Sequence, residues 1–286
     1  MNMRLSIITI NYNNAEGLRR TLASVASQTY RNIEHIIIDA ASTDGSVEVI
    51  KEYEKKIHLT HSTIHIQWTS EKDKGIYDGM NKGIRKASGD YVWILNSDDC
   101  VASPDVIERM MAILERESYQ LLLGNIVKVY PSGKKISEKK MRYANAPKPM
   151  DVSMLTFYRG TVPQDAAFVR RDLFEKYGYF DESLKICADW KLYLNMIALG
   201  DVMPMYVNIV VVLFDMTGIS NANDALRLAE RRAYLEQVLP SSVLKDYDNY
   251  HFPIEEYNRL KKYHLWGIVY FIERVLFKLE KWHIFK

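Results

Sequence analysis

Tyr91-Val92-Trp93-Ile94-Leu95 runs directly into Asn96-Ser97-Asp98-Asp99. An apolar run of this length, closed by polar residues, reads as a buried strand. Adjacent carboxylates at the end of such a strand repel each other and must be solvated or neutralised. A divalent cation with oxygen ligands would neutralise them, and a diphosphate could complete its shell. The competing account is a solvated turn ahead of the helix opened by Ser103-Pro104, because turns are rich in Asp.

Upstream, Leu5 to Ile10 is a mainly apolar run rich in β-branched residues, as a fully buried strand requires, Ile33 to Ile38 is a second buried strand ending in Asp39, and Ile64 to Trp68 is a third strand. Between them, Ala15 to Ser27, Ser46 to Tyr53 and Ile76 to Ala87 read as helices, the last closed by Gly89 as a C-cap. A helix over Pro104 to Glu117 follows the fourth strand. Such alternation implies a largely parallel sheet with right-handed crossovers. Beyond it, Leu121 to Tyr130 is a strand, Pro131 to Lys134 a turn into Lys135 to Lys140, and Pro147 to Pro163 mostly loop. Asp172 caps a short helix, Asp189 to Leu199 is a helix, and Val207 to Phe214 is a strand. From Asp224 the chain is helical and charged, which places a boundary near residue 222.

The 286 residues suit one large domain with an extension, and a hydrophobic content of 48% supports a sizeable core. A net charge of +2, from 38 basic and 36 acidic residues, is too balanced for bulk nucleic-acid binding. Cys100 and Cys187 cannot form a disulfide framework, so free thiols in a reducing compartment are expected. No signal peptide is recognised at the start, and no run approaches the ~20 apolar residues of a spanning helix. A cytoplasmic protein, free or peripheral on the inner face of the membrane, is expected.

In a parallel sheet, ligands bind beyond the carboxyl ends of the strands. The Tyr12-Asn13-Asn14 segment, Asp39 and Asp98 all fall on that edge. The small, polar loop Asp39-Ala40-Ala41-Ser42-Thr43-Asp44-Gly45-Ser46 lets a planar ring approach the backbone while a carboxylate accepts from a base or ribose; a capped helix start is the alternative. Gly75, Gly79 and Gly83 recur once per helical turn at about 1 kcal/mol each, which demands a close approach; helix–sheet packing accounts for at least one. Asp73, Tyr77, Asn81 and Lys82 can then face the nucleotide edge. Asp189, ahead of an apolar helix, is either an N-cap or a general base.

Taken together, these clusters resemble family 2 glycosyltransferases of the GT-A fold. Ser6-Ile7-Ile8-Thr9-Ile10-Asn11-Tyr12-Asn13 is similar to the opening strand and Tyr-Asn signature. Ile36 to Ser46 is similar to the Asp-x-x-Ser-Thr-Asp-Gly loop. Ser88-Gly89-Asp90-Tyr91 followed by Leu95 to Asp99 resembles the Gly-(Asp/Glu)-strand-Asp-x-Asp-Asp element, and Asp189-Trp190 the late acidic motif. Order and spacing agree over about residues 4 to 215. The resemblance implies an α/β protein of GT-A fold, a Rossmann-like, mostly parallel sheet flanked by helices, with a helical C-terminal extension. A catalytic domain would span 1–222, with a nucleotide-binding half (1–100) and an acceptor half (101–222), followed by the extension at 223–286.

The implied chemistry is inverting transfer of a sugar from a nucleotide-diphosphate donor, a UDP-sugar by preference, to a hydroxyl of a glycan or lipid-linked acceptor. Asn11, Tyr12, Asp39, Ser42, Asp73, Tyr77, Asn81, Asn96 and Ser97 would bind the nucleotide sugar, Asp39 through the base. Asp98, helped by Asp99, would hold Mn2+ or Mg2+, and Asp189 would be the general base. Two departures stand out. Asn96 replaces the usual first Asp of Asp-x-Asp, and Ala188 replaces an acid often found before the base. Gln164-Asp165 is placed on the acceptor side. A sugar nucleotidyltransferase would open with a Gly-rich, Arg-containing loop, but Asn11 to Gly17 has one glycine. A catalytically silent assembly subunit is the other alternative, motivated by Asn96 and Ala188.

The segment from Lys261 to Lys286 combines Trp266, Tyr270, Phe277 and Trp282 with Lys261, Lys262, Lys278 and Lys281. That is the composition of an interfacial helix on anionic lipid, with packing on the catalytic domain or on a second subunit, as in a homodimer, as the alternative.

Overall fold

The computed structural model describes residues 3–60, 63–129, 135–138, 148–149, 152–215, 223–249, 267–268, 271–272 and 274–276. The turn expected at Pro131 to Lys134, the boundary near 222 and most of the segment beyond 249 lie outside these residues. The chain divides into two compact units, Met1–Arg231 and Arg232–Lys286.

The first unit opens with the alternation expected: β1 (Leu5–Asn11), α1 (Ala15–Ala26), β2 (Ile33–Asp39), α2 (Ser46–Leu59), β3 (His65–Ser70), α3 (Ile76–Lys86) and β4 (Tyr91–Ile94). It continues through β5 (Cys100–Val101), α4 (Val106–Glu117), β6 (Leu121–Val129), β7 (Lys135–Glu138), β8 (Lys148–Pro149), α5 (Met154–Arg159), β9 (Ala167–Arg170), α6 (Asp172–Tyr177), α7 (Ala188–Tyr193) and β10 (Met205–Asp215). A 3-10 turn, Gln164–Ala166, leads into β9, and one π-helical turn, Leu194–Ala198, continues α7. All strands join one sheet in the order β3-β2-β1-β4-β9-β6-β10-β5, with β7 on β6 and β8 on β10.

The sheet is mixed. β3, β2, β1 and β4 are parallel, as the short strand–helix units predict. β9 is antiparallel to both neighbours, β4 and β6, and β10 is parallel to β6 but antiparallel to β5 and β8. β5 and β9 are too short to show a period of two, and α5 lies in a stretch expected to be mostly loop.

Period-two alternation puts the core on both faces of the parallel half. Leu5, Ile7, Ile33 and Ile37 form one core with Leu18, Leu22 and Val25 of α1, Ile50 of α2 and Met110 of α4. On the other face a Cβ at Gly83 would fall 2.4 Å from Ile8 Cγ2, so α3 lies close against β1 because that position is glycine. Gly89 is not the cap of α3, which ends at Lys86 with Ala87 as its C-cap. A Cβ at Gly89 would sit 2.8 Å from both Arg4 O and Ser6 N, so its role is close backbone approach to β1.

Two polar side chains inside β2 are fully satisfied. Glu34 accepts from Ser6 Oγ at 2.5 Å and from Ser88 N and Oγ at 2.8 Å. His35 bonds Thr9 Oγ1 at 3.0 Å and Tyr53 OH at 2.8 Å, and burial pushes its pKa down to about 3.

Helix α8 (Asp224–Val238) starts in the first unit and runs into the second. In the second unit Arg232 donates to Glu236 Oε1 at 2.7 Å and to both Asp248 oxygens at 2.7 and 2.9 Å, joining α8 to a helix at 241–249. Ile268, Phe271, Ile272, Val275 and Leu276 are exposed and share one helical stripe. Among the described residues no helix is long and apolar enough to cross a membrane.

Candidate active site

Parallel register lines up the carboxyl ends of the first strands: Asn11 pairs with Asp39, and Asp39 with Ser70. Ser97 N donates to Ile10 O at 3.1 Å, which brings the residues after β4 onto the same edge. The polar clusters after β1, β2 and β4 therefore converge as expected.

Asp39 is fully buried and fully occupied. Oδ1 accepts from Asn11 Nδ2 at 2.8 Å and Ser42 Oγ at 2.6 Å. Oδ2 accepts from Ser42 N at 2.9 Å and Ser70 Oγ at 2.6 Å. Four donors fill the acceptor positions of one carboxylate. The loop around it ties the ends of β1 and β2 together, with Thr43 N on Asn13 Oδ1 at 2.9 Å and Ala15 N on Asp44 Oδ2 at 2.8 Å. Tyr12 stands on the rim, 67% exposed.

Asp73 lies near Asp39, its Oδ1 accepting from Gly75 N at 3.0 Å, and burial pushes its carboxyl up. Tyr77 and Asn81, expected at the nucleotide edge, are placed otherwise. Asn81 is 1% exposed and clamps the loop before α7. It donates to Phe180 O at 2.8 Å and Glu182 Oε1 at 2.9 Å, and accepts from Phe180 N at 3.0 Å. Tyr77 is buried against Phe180 and faces Asp189.

Beyond β4 the two acids differ. Asp98 has φ of 89° and turns onto the first turn of α1, where Asn14 Nδ2 donates to Oδ2 at 2.5 Å and Arg20 pairs with Oδ1. A Cβ at Gly17 would overlap Asp98, so glycine there gives this carboxylate its seat. Asp99 is 4% exposed and accepts from Asp215 N at 2.9 Å. Burial pushes its carboxyl well up, with Asp165, Asp215 and Asp98 adding to the rise. Asn96 Oδ1 is buried with no hydrogen-bond partner.

Asp165 retains partial solvent access although protein atoms surround it. Its backbone carbonyl accepts from Trp93 Nε1 at 2.8 Å, and burial, reinforced by Asp189, pushes its pKa up to about 7. Asp189, also partly accessible, lies in the first turn of α7 with Cys187 at the N-cap, so it is not the cap itself. Burial pushes its carboxyl up as well; the Trp190 N–H, the Arg231 charge and a hydrogen bond from Tyr77 hold it down in part. Asp99, Asp165 and Asp189 thus form a chain of interacting acids.

Sequence reasoning placed Asp165 on the acceptor side without seeing this linkage, and it did not reach Arg20, Asp215, Glu230 or Arg231. No periodic signal marks them, since each acts across a long sequence separation. Among the described residues no group of three or more His, Cys, Asp or Glu is arranged to hold a metal ion.

The glycosyl transferase family 2 profile matches residues 6–178. The chain belongs to that family. Its relatives include an uncharacterized glycosyltransferase of Mycobacterium tuberculosis, 32% identical over 220 residues that cover 76% of this chain and 77% of the relative. A PGL/p-HBAD biosynthesis glycosyltransferase of Mycobacterium bovis is 28% identical over 218 residues, covering 76% and 78%. Among solved structures, S. aureus TarS 1-349 in complex with UDP superposes with a TM-score of 0.62 at 18% identity, over 88% of this chain and 72% of that one. Of the longer TarS chain only 37% is covered. The mannosyltransferase PcManGT from Pyrobaculum calidifontis, in complex with GDP-Man and Mn2+, gives a TM-score of 0.54 at 18% identity, over 81% of this chain and 61% of that one. These likenesses establish an α/β GT-A fold, with a mixed sheet flanked by helices, and a transferase.

Proposed function

We propose that this family 2 enzyme moves a sugar from a UDP-sugar to a hydroxyl of a glycan or lipid-linked acceptor with inversion, in the cytoplasm, using Asp189 as general base. The observation that carries the reading is Asp189 itself. It is a partly accessible carboxyl, raised by burial and fixed in the first turn of α7, which is the condition a base near neutral pH requires. The acceptor oxygen attacks the anomeric carbon, the bond from that carbon to the diphosphate oxygen breaks, and the acceptor proton passes to Asp189. The nucleoside diphosphate leaves with the bonding pair.

Base recognition falls to Tyr12, Asp73 and the backbone around Ala40 to Ser42, because Asp39 has its acceptor positions filled from within. Asp39, Asn11 and Ser42 shape that surface from beneath, and Tyr77 and Asn81 serve the opposite side, beside Asp189 and the loop before α7. Mn2+ or Mg2+ fits the edge after β4: Asn96 Oδ1 lacks a partner, and Asp98 and Asp99 bring oxygen ligands that two donor phosphates would complete. The ion, when bound, supplies positive charge to the departing diphosphate. Asp98 would be the accessible ligand, released from Arg20 as the donor enters, with Asp99 beneath it.

Thermal melting with UDP-glucose, UDP-galactose, UDP-N-acetylglucosamine and GDP-mannose, each with and without Mn2+, identifies the donor by its stabilisation. With that donor, Asp189→Asn should abolish transfer and leave UDP binding intact. Retained transfer removes Asp189 as base; no UDP binding by the wild type restores the silent-subunit alternative.

The exposed stripe from Ile268 to Leu276, together with the lysines in the surrounding sequence, supports a seat for the second unit on an anionic membrane surface. Cosedimentation with phosphatidylglycerol vesicles should succeed at low salt and weaken at 0.5 M salt; absence of binding at low salt would assign the stripe to a protein partner.

A further inference from the structure

Three consecutive backbone N–H groups, those of Lys185, Ile186 and Cys187, lie immediately ahead of the helix that carries Asp189. Residues at this place would normally leave their donors to water or a cap. Here one carboxylate takes all three. Glu230 Oε1 accepts from Lys185 N at 2.7 Å, and Oε2 accepts from Ile186 N and Cys187 N at 3.0 Å. Glu230 comes from α8, beyond the point where the family profile ends at residue 178.

The neighbouring turn of α8 adds two more ties. Cys187 Sγ donates to Arg227 O at 3.4 Å. The Arg231 guanidinium lies over the Trp190 ring, 5.3 Å from its centroid, and its charge partly offsets the rise that burial imposes on the Cys187 thiol. Arg231 Nε is buried and has no acceptor of its own. Trp190 is fixed in turn by donating from Nε1 to Phe157 O at 2.8 Å. So the residues on both sides of Asp189 are held from α8, one side by an anion on three amides and the other by a cation on an indole.

We infer that Glu230 and Arg231 are positioning residues for Asp189: Glu230 seats the 185–187 backbone that aims the carboxylate, and Arg231 supplies the positive charge that faces it. This inference rests on the reading of Asp189 as general base. It makes the N-terminal half of α8 a support of the catalytic centre rather than part of an appended helix.

The groups that face Asp189 bear on its pH behaviour. They are Tyr77 from α3, Asp165 from the turn before β9, Tyr193 and Cys187 from its own segment, and Arg231 from α8. Arg231 is the one cation among them, and it favours the charged form of Asp189. Its removal therefore moves the acid limb of kcat/KM, where the base must be deprotonated, to higher pH. A purely structural loss lowers the rate equally at every pH.

The test uses the full chain with the UDP-sugar selected by melting, comparing Asp189→Asn, Glu230→Gln, Arg231→Gln and Arg231→Lys, with UDP affinity by calorimetry and folding by thermal melt. Glu230→Gln should lower kcat by about tenfold to a hundredfold, as a misaimed group does, with UDP affinity unchanged. Arg231→Gln should displace the acid limb upward, and Arg231→Lys should restore it. Wild-type kcat in a folded Glu230→Gln overturns the seat, and an unmoved acid limb in Arg231→Gln overturns the charge role. Should Glu230→Gln not fold, the Arg231 pair decides alone. Transfer retained in Asp189→Asn is the separate failure, that of the base itself.

Discussion

Asp39 and Asp99 lie at the same sheet edge and are almost equally buried, at 0% and 4% exposure, yet they are in opposite condition. Asp39 has a donor for every acceptor position. Asp99 has the Asp215 amide and, beyond it, mainly other acids: Asp165, Asp215 and Asp98. A buried charge with all its hydrogen bonds made is a structural hub, whereas a buried charge among like charges waits for a proton or a cation. The edge is thus divided between a side whose carboxylate is saturated from within and a side whose carboxylates face one another.

Amide substitution exposes the difference. The largest effect belongs to Asp39→Asn, which keeps the shape but turns an amide N–H toward donors from Ser42, Ser70 or Asn11. It should cost about 3 kcal/mol or more, read as a lowered denaturation midpoint. A change under about 0.5 kcal/mol would erase the contrast.

The acid side should respond with the opposite sign. At pH 8, Asp165→Asn should gain about 1 kcal/mol or more, because it removes a carboxylate whose folded pKa, about 7, stands above its unfolded value of 3.8. A raised carboxyl stabilises the fold only while it is protonated. The wild type therefore loses this contribution as pH rises from about 4 towards 7, and the two proteins should converge below pH 4. Denaturation at pH 4 and pH 8 checks this; a gain at both would mean that packing, not charge, sets the effect.

The smallest stability change is expected of Asp99→Asn, at about 1 kcal/mol of gain or less, since its new Oδ1 can keep the Asp215 amide. Its use lies elsewhere: the Mn2+-dependent part of the UDP melting shift should shrink. An undiminished shift would assign the ion to Asp98 and Asn96 alone.

The parallel half was legible because β1 and β2 are rich in Ile and close on residues with evident chemistry, Asn11 and Asp39. The strand-end position of Asp39 was readable, but its saturation was not, because Ser70 reaches it from a neighbouring strand. β9 escaped notice because four residues carry no period, and its slot between β4 and β6 depends on distant partners. Asp165 was legible as polar and near the acceptor side, not as a neighbour of Asp189. Glu230 and Arg231 looked like part of a charged helix face, since nothing local marks an acid that caps backbone more than forty residues upstream.

The place of β9 also fixes an order of assembly. β1, β2, β3 and β4 are all made by Ile94, and can pair as each leaves the ribosome. β4 then has one edge without a neighbour until Ala167–Arg170 has been synthesised. An unpaired strand edge is a template for wrong partners, and pairings of high sequence separation form slowly. For the length of chain between Ile94 and Ala167, the nascent protein carries an open β4 edge beside its strand-end acids, and the 185–187 seat waits still longer, until α8 is made.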